Sequence, residues 1–164
     1  MSTIEISPFV EATANVFKVM MQTVPEQVDK VDPASIKNGP NSTAIIGLRG
    51  TLLWTLTINF PEKTGRTITQ KLLQTDDAVS KDEISDTLGE VANMVAGGAK
   101  AELARLRGED ISLSLPTVIT GQDYCLEHPK DSKTSLVSFR STLGEFTIGI
   151  TLSNKIIFNS LPNI

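Results

Sequence analysis

Four residues have types and a spacing that could do chemistry together on one face of a helix. They are Asp86, Glu90, Asn93 and Gly97. At about 100° per residue, the steps of four, three and four positions place them on a single narrow stripe. A carboxamide can accept a hydrogen bond from a water molecule and donate one to a nearby oxygen without changing its protonation state. The row therefore offers two carboxylates and a group suited to positioning water, although most polar rows of this kind are simply solvated.

The residues around this row predict one long helix with defined ends. Ser80 is followed three positions later by Glu83, which is the pattern of a capping box at a helix N-terminus. Gly108 suits the left-handed position that ends a helix, and Arg105 and Arg107 fall in the last turn, where positive charge favours the helix dipole. We therefore expect the helix to begin after Ser80 and to end before Gly108.

The opposite stripe of this helix is apolar and must face the core. It contains Ile84, Leu88, Val91 and Val95. The row of Asp86, Glu90, Asn93 and Gly97 then turns away from the core. Because Asn and Gly are poor helix formers, and Lys, Gln or Glu would serve solvation better, the choice of residues favours a functional face.

The row also carries a family resemblance. Asp86-x-x-x-Glu90-x-x-Asn93 resembles the D/S-x3-E-x2-N signature of the CheC/CheX/FliY family, and the single copy is CheX-like. The segment around it, GEVANMVAGGAKAEL at 89–103, is much more specific than a bare E-x-x-N. SLPTVITG at 114–121 is also similar to the family consensus, and the resemblance in layout runs from about residue 7 to residue 152.

The resemblance implies a phosphatase of the phosphorylated chemotaxis response regulator CheY. An aspartyl phosphate is already activated, so catalysis by positioning and charge stabilisation suffices. The family assigns to its motif asparagine, here Asn93, the positioning of the attacking water, and to Glu90 a pairing with the regulator's active-site lysine. Asp86 is expected to support docking. Gly97 and Gly98 would let the partner approach the helix backbone, or they serve close helix packing within the protein.

The resemblance also bears on cofactors, assembly and an alternative function. The Mg²⁺ ion that phosphoryl chemistry needs is expected on the regulator, since this chain offers no cluster of metal ligands. Homodimers that join their sheets across subunits are implied, through an uncovered edge strand. The alternative function is a non-catalytic docking module for a response regulator or a flagellar switch component. Intact Glu90 and Asn93 favour the enzyme.

The predicted fold is α+β, with two degenerate helix–β-hairpin repeats and two long helices packed on one antiparallel sheet. Two strands, 43–49 and 51–60, match a hairpin of 136–140 and 145–152, with Trp54 corresponding to Phe146. A first helix, with Ser7 as N-cap and an end at about Met21 or Gln22, corresponds to the long helix, but Pro8 and Ala12 stand where Asp86 and Glu90 would be. Only the second repeat keeps the row.

The remaining elements are less regular. An edge strand is expected near 27–31, a helix from Pro61 to about Gln74, and one strand at 111–120 with Pro116 marking an edge or a bulge. Several helical side chains are expected to face the core. They are Phe9, Ala12, Val16 and Met20 in the first helix and Ile68, Leu72 and Leu73 in the second.

Composition predicts a single soluble, cytoplasmic domain spanning 1–164, with 153–164 as an extension. The 164 residues are 40% hydrophobic, and a net charge of −4 argues against nucleic-acid binding. No apolar run approaches the roughly 18 residues of a membrane span, and Met1 to Glu5 lack the features of a secretory signal. The lone Cys125 cannot form an internal disulfide, and with His128 alone it cannot build a four-ligand zinc site.

Overall fold

The computed structural model describes residues 4–29, 39–122, 124 and 126–153, in which three helices pack on a seven-stranded antiparallel sheet. The helices are α1 (Ser7–Met21), α2 (Glu62–Leu73) and α3 (Lys81–Arg107). The strands are β1 (Glu26–Val28), β2 (Asn41–Arg49), β3 (Leu53–Pro61), β4 (Ser112–Leu113), β5 (Thr117–Gly121), β6 (Ser132–Ser141) and β7 (Gly144–Ser153). The predicted fold class is confirmed, with α2 as a third, shorter helix.

The centre of the sheet is built from two hairpins. The strand order is β1-β6-β7-β3-β2, and both β4 and β5 pair with the outer side of β2. Strand β3 joins β7 so that Leu56 faces Ile150, Thr57 faces Gly149 and Ile58 faces Ile148. Because Leu56 corresponds to Ile148 in the sequence repeat, and Ile58 to Ile150, a pseudo-twofold axis passes through the Thr57–Gly149 pair. The two hairpins are thus the two predicted repeats.

One face of the sheet forms the core beneath the helices. Alternate residues of β3, namely Trp54, Leu56, Ile58 and Phe60, are buried as the period of two requires. From the other hairpin Phe146 stacks on Phe17 of α1, with 4.6 Å between ring centroids. Each repeat therefore contributes one hairpin and one helix to a shared core.

The ends of α3 lie where the sequence predicts them. The Glu83 backbone N–H donates to Ser80 Oγ at 3.1 Å, and the Ser80 N–H donates to Glu83 Oε1 at 3.0 Å, which completes the capping box. Gly108 ends the helix in a left-handed conformation with φ of 63°. Both boundary predictions for the long helix are confirmed.

Helices α1 and α3 run antiparallel and meet closely in the middle. At one end Glu5 Oε1 lies 3.9 Å from Arg107 Nη1. Further along, a Cβ atom added to Gly98 would lie only 3.0 Å from the Cβ of Ala12. Gly98 therefore allows the two backbones to approach, and the neighbouring Gly97 has no atom within 4 Å of such a Cβ.

Several local predictions were wrong at the ends of elements. The predicted strand 111–120 is observed as two short strands, β4 and β5. The prediction that Pro116 marks an edge or a bulge is confirmed, because the three residues Ser114 to Pro116 lie opposite only two residues of β2, Ile46 and Gly47. Met20 and Leu73 lie in the last turns of α1 and α2 and are 42% and 47% exposed, because the adjacent residues Met21 and Leu72 take the inward positions there. Ile6, not Ser7, is the N-cap residue of α1.

Other boundaries differ by a few residues. The predicted edge strand is observed as β1, which pairs with β6, and residues 30 and 31 lie outside the described part of the chain. Strand β6 begins at Ser132, four residues before its predicted start. Of the predicted extension 153–164, only Ser153 is described, as the last residue of β7. Among the described helices, none is long and apolar enough to cross a membrane.

The two adjacent glycines give opposite expectations for stability. Gly97→Ala should stabilise the protein by up to about 1 kcal/mol, because alanine has the higher helix propensity and the site is open. Gly98→Ala should destabilise it by about 1 kcal/mol net, because overpacking against Ala12 costs roughly 1–3 kcal/mol. Urea denaturation of both variants measures the difference. Equal midpoints for the two variants would contradict close packing at Gly98.

Candidate functional site

The row on α3 lies at the surface of the protein. Asp86 and Glu90 are exposed, and Asn93 and Gly97 are half-buried. On the opposite side of the helix Leu88, Val91 and Val95 are completely buried, as their spacing predicts. The fold thus presents two carboxylates and a carboxamide to solvent on a helix whose other face is locked into the core.

The helix fixes the distances along the row. At about 1.5 Å of rise per residue, Glu90 and Asn93 are separated by about 4.5 Å along the axis, and the row from Asp86 to Gly97 is about 16.5 Å long. A helix capped at both ends does not change these distances when a second molecule binds. The spacing of the four residues is therefore set before a second molecule binds.

The three polar side chains of the row have no partner in the part of the chain that the structure describes. Among the described residues, no side chain or backbone group forms a hydrogen bond or an ion pair with the side chains of Asp86, Glu90 or Asn93. Elsewhere on α3, Glu102 pairs with Arg105 at 2.5 Å, which lowers the pKa of the Glu102 carboxyl through their hydrogen bond. The acids of the row lack such a partner and are available to an external one.

Two different parts of the fold flank the row. On one side Gly98 packs against Ala12 of α1, as described above. On the other side Gly89 faces β5, where an added Cβ would lie 3.5 Å from Val118 Cγ2 and 3.7 Å from Pro116 Cγ. Glu90 directly follows Gly89 in the chain. The row is therefore a ridge between α1 and the interrupted edge of the sheet.

The two glycines that were predicted to bind a partner occupy different positions. Gly97 belongs to the outward row, with open space above it. Gly98 lies against α1, where its lack of a side chain serves the packing of the two helices. The close approach of Ala12 agrees with the alternative that the sequence left open, internal helix packing, for Gly98. Gly98 is also exposed, so access of a partner stays a prediction for both glycines.

The other candidate residues do not form a site within the described structure. Cys125 lies outside the described residues. His128 is exposed, with its Nδ1 atom 3.3 Å from Thr151 Oγ1. Among the described residues, no group of three or more His, Cys, Asp or Glu side chains could hold a metal ion. Trp54 is a core residue, as predicted, and the guanidinium of Arg107 lies 5.3 Å from its ring centroid.

One surface residue beside the row was missed in the sequence analysis. Leu115 lies in the interruption between β4 and β5, and 89% of it is exposed. The alternating apolar pattern of 111–120 suggested a continuous strand. In such a strand Leu115 would pair with a residue of the neighbouring strand. Pro116 was the available signal that the strand breaks at this point.

Comparisons with known proteins agree with the fold. The family model described as "Chemotaxis phosphatase CheX" matches residues 42–140, about three-fifths of the chain and including the whole of α3. A comparison with curated proteins finds no matching sequence.

Solved structures of similar proteins cover nearly the whole chain. A chemotaxis protein CheX from Vibrio vulnificus is 28% identical with a TM-score of 0.77, covering 93% of this chain and 99% of the other. A chemotaxis protein CheX from Desulfovibrio desulfuricans is 27% identical with a TM-score of 0.76, covering 90% and 98%. The fold also matches the CheX–CheY–BeF3–Mg²⁺ complex from Borrelia burgdorferi, at 23% identity and a TM-score of 0.69, with 93% and 98% covered. With its E-x-x-N row intact on α3, the chain belongs to the chemotaxis phosphatase CheX family.

Proposed function

We propose that this protein is a cytoplasmic phosphatase that removes the phosphoryl group from the active-site aspartate of a CheY-type response regulator. The observation that carries the proposal is the pair Glu90 and Asn93, one turn apart on a rigid helix and with no partner among the described residues. The family match and the Borrelia CheX–CheY complex support a regulator of this kind as the partner.

In the proposed reaction Asn93 positions the attacking water. Its carboxamide oxygen accepts a hydrogen bond from the water, and its NH₂ group donates to a phosphoryl oxygen. The water oxygen forms a bond to phosphorus as the bond from phosphorus to the aspartyl oxygen breaks, which yields inorganic phosphate and a free aspartate. No side chain of this protein needs to become a nucleophile, because the acyl phosphate is already activated.

Glu90 and Asp86 orient the regulator on the helix. Glu90 pairs with the regulator's active-site lysine and thereby sets the point at which Asn93 enters. Asp86, one turn earlier, adds a second acidic contact. Gly97 leaves room for the partner's surface at the other end of the row. The Mg²⁺ ion belongs to the regulator, where it supplies charge stabilisation for the phosphoryl group.

The role of Asn93 is tested by Asn93→Ala. We expect the single-turnover rate of phosphate loss from the phosphorylated regulator to fall by about a hundredfold, the loss typical of a misplaced reactant. Asn15→Ala is the matched control, because Asn15 is the exposed asparagine at the corresponding position of α1. An Asn93→Ala variant as fast as the parent would refute the assigned role. A parent that binds the regulator without accelerating phosphate loss would instead identify a docking module.

The role of Glu90 is tested by Glu90→Gln, which removes the charge and keeps the shape. We expect an about tenfold rise in KM for the phosphorylated regulator, since a charge-assisted hydrogen bond contributes about 1.5–3 kcal/mol. Asp77→Asn removes the same charge from an exposed position in the loop before α3 and serves as the control. If both variants raise KM equally, the effect is due to net charge and not to a pairing of Glu90.

We further propose that the protein forms a homodimer through a sheet edge. Within the described residues, β1 and β5 each pair with only one neighbour, so each offers backbone groups to a second copy. We expect sedimentation to give a dimer for the parent. Either Val28→Lys or Ile119→Lys should give a monomer, because each puts a charge on one of these edges. A parent that sediments only as a monomer at working concentration would contradict this proposal.

A further inference from the structure

We propose that Leu115 is a fixed apolar contact for the regulator's receiver domain, which sets the affinity of docking without taking part in hydrolysis. This inference rests on the proposed function, because it assigns the partner of the same site. It starts from the exposure of the residue. Leu115 is 89% exposed, whereas the other exposed large apolar residues in the described part of the chain range from 42% to 66%.

An exposed leucine on its own is ordinary, but this one is held in place from both sides. The Ser114 N–H donates to the Gly47 carbonyl at 2.9 Å, and the Gly47 N–H donates to Ser114 Oγ at 2.8 Å. Ser114 Oγ in turn donates to the Leu115 carbonyl at 3.1 Å. On the other side Pro116 has a restricted φ and packs toward Gly89 of α3.

This restraint matters for binding. Ordering a mobile side chain and loop at an interface costs free energy, and a preformed contact avoids most of that cost. A leucine that is exposed and yet anchored through both neighbouring residues therefore gains more from burial by a partner than the same side chain on a loose loop. The segment has the properties of a docking contact.

Leu115 lies close in the structure to the row on α3. Its neighbour Pro116 reaches Gly89, and Gly89 directly precedes Glu90. A standard interface buries about 800 Å² on each partner, which corresponds to a round patch of roughly 16 Å radius. A globular protein seated on Glu90 and Asn93 with a patch of this size therefore reaches past Gly89 to Pro116, and Leu115 is the next residue in the chain.

The chemistry of this flank favours the regulator over a second copy of the chain. Residues 112–120 carry no charged side chain. The flank therefore adds a neutral, apolar contact beside the acidic row. A second copy joining through the sheet edge would pair with the ladders of β4 and β5, and Leu115 lies outside both. Because Leu115 lies next to the segment that contacts α3 beside the row, we assign the receiver domain as its binding partner.

The test compares leucines at two exposed positions. The probe is the CheY-type receiver domain of the same organism, loaded with beryllofluoride and Mg²⁺. For Leu115→Ala we expect about tenfold weaker binding and a matching rise in KM for the phosphorylated form, with kcat unchanged. Leu115→Met, which keeps the apolar area, should bind within twofold of the parent. Leu106→Ala, at a 52% exposed position near the end of α3, should bind like the parent.

The outcomes separate this inference from the proposed function. Leu115→Ala binding within twofold of the parent would overturn the inference while leaving the phosphatase intact. So would a Leu115→Ala variant that loses only its self-association. If the parent binds without hydrolysing phosphate, the proposed function fails, and the loss of affinity in Leu115→Ala still supports the docking contact. If the parent does not bind the loaded receiver domain, both fail.

Discussion

The structure depends on how α3 is oriented about its own axis, that is, on which of its faces packs against the core. Leu88, Val91 and Val95 are completely buried, and a shift by one residue would rotate the helix by about 100° and bring polar groups into the core. The capping box and Gly108 fix where the helix starts and stops. Burial on one face therefore determines that Asp86, Glu90 and Asn93 face solvent, and no additional interaction is needed to hold them there.

A local departure from the pseudo-twofold symmetry accounts for one row and not two. In the repeat, Ala12 of α1 corresponds to Glu90 of α3. Ala12 is buried against Gly98, and a glutamate side chain at position 12 would have to enter this contact between the helices. The first helix therefore uses the equivalent position for packing, and Pro8 takes the position of Asp86 at its start. The position that carries Glu90 in α3 is thus used in α1 for the contact with Gly98.

Local rules predicted the helix that carries the site, because its apolar stripe and both caps are encoded within α3 itself. The hairpins followed from the internal repeat. Pro116 indicated an edge or a bulge within 111–120, but the exposure of Leu115 was not predictable in the same way, because it depends on how β4 and β5 each pair with the distant strand β2. Periodicity also placed Met20 and Leu73 inward, because a helical pattern does not decide which of two adjacent apolar residues at a helix end faces the core. In the structure Met21 and Leu72 do.

Gly97 and Gly98 show the same limit within the site. Gly97 and Gly98 are identical residues and adjacent in the chain. Because successive residues are turned by about 100° around the helix axis, Gly97 lies in the outward row and Gly98 lies against α1. Only the packing of α1, a helix more than 75 residues away, distinguishes them. Sequence reasoning could state both roles for the pair and could not assign them.

Within residues 4–29, 39–122, 124 and 126–153 the row has no partner, which suits a reaction whose other half belongs to a second protein. In the proposed mechanism the regulator brings the acyl phosphate, the lysine and the metal ion, and this protein contributes the residue that positions water. Neither surface alone contains the complete arrangement, so the reaction depends on how accurately the two surfaces meet. A displacement of 1 Å can cost about a hundredfold in rate. The discrimination between regulators therefore has to reside in contacts around the row, where an anchored apolar side chain adds affinity without disturbing the geometry of Glu90 and Asn93.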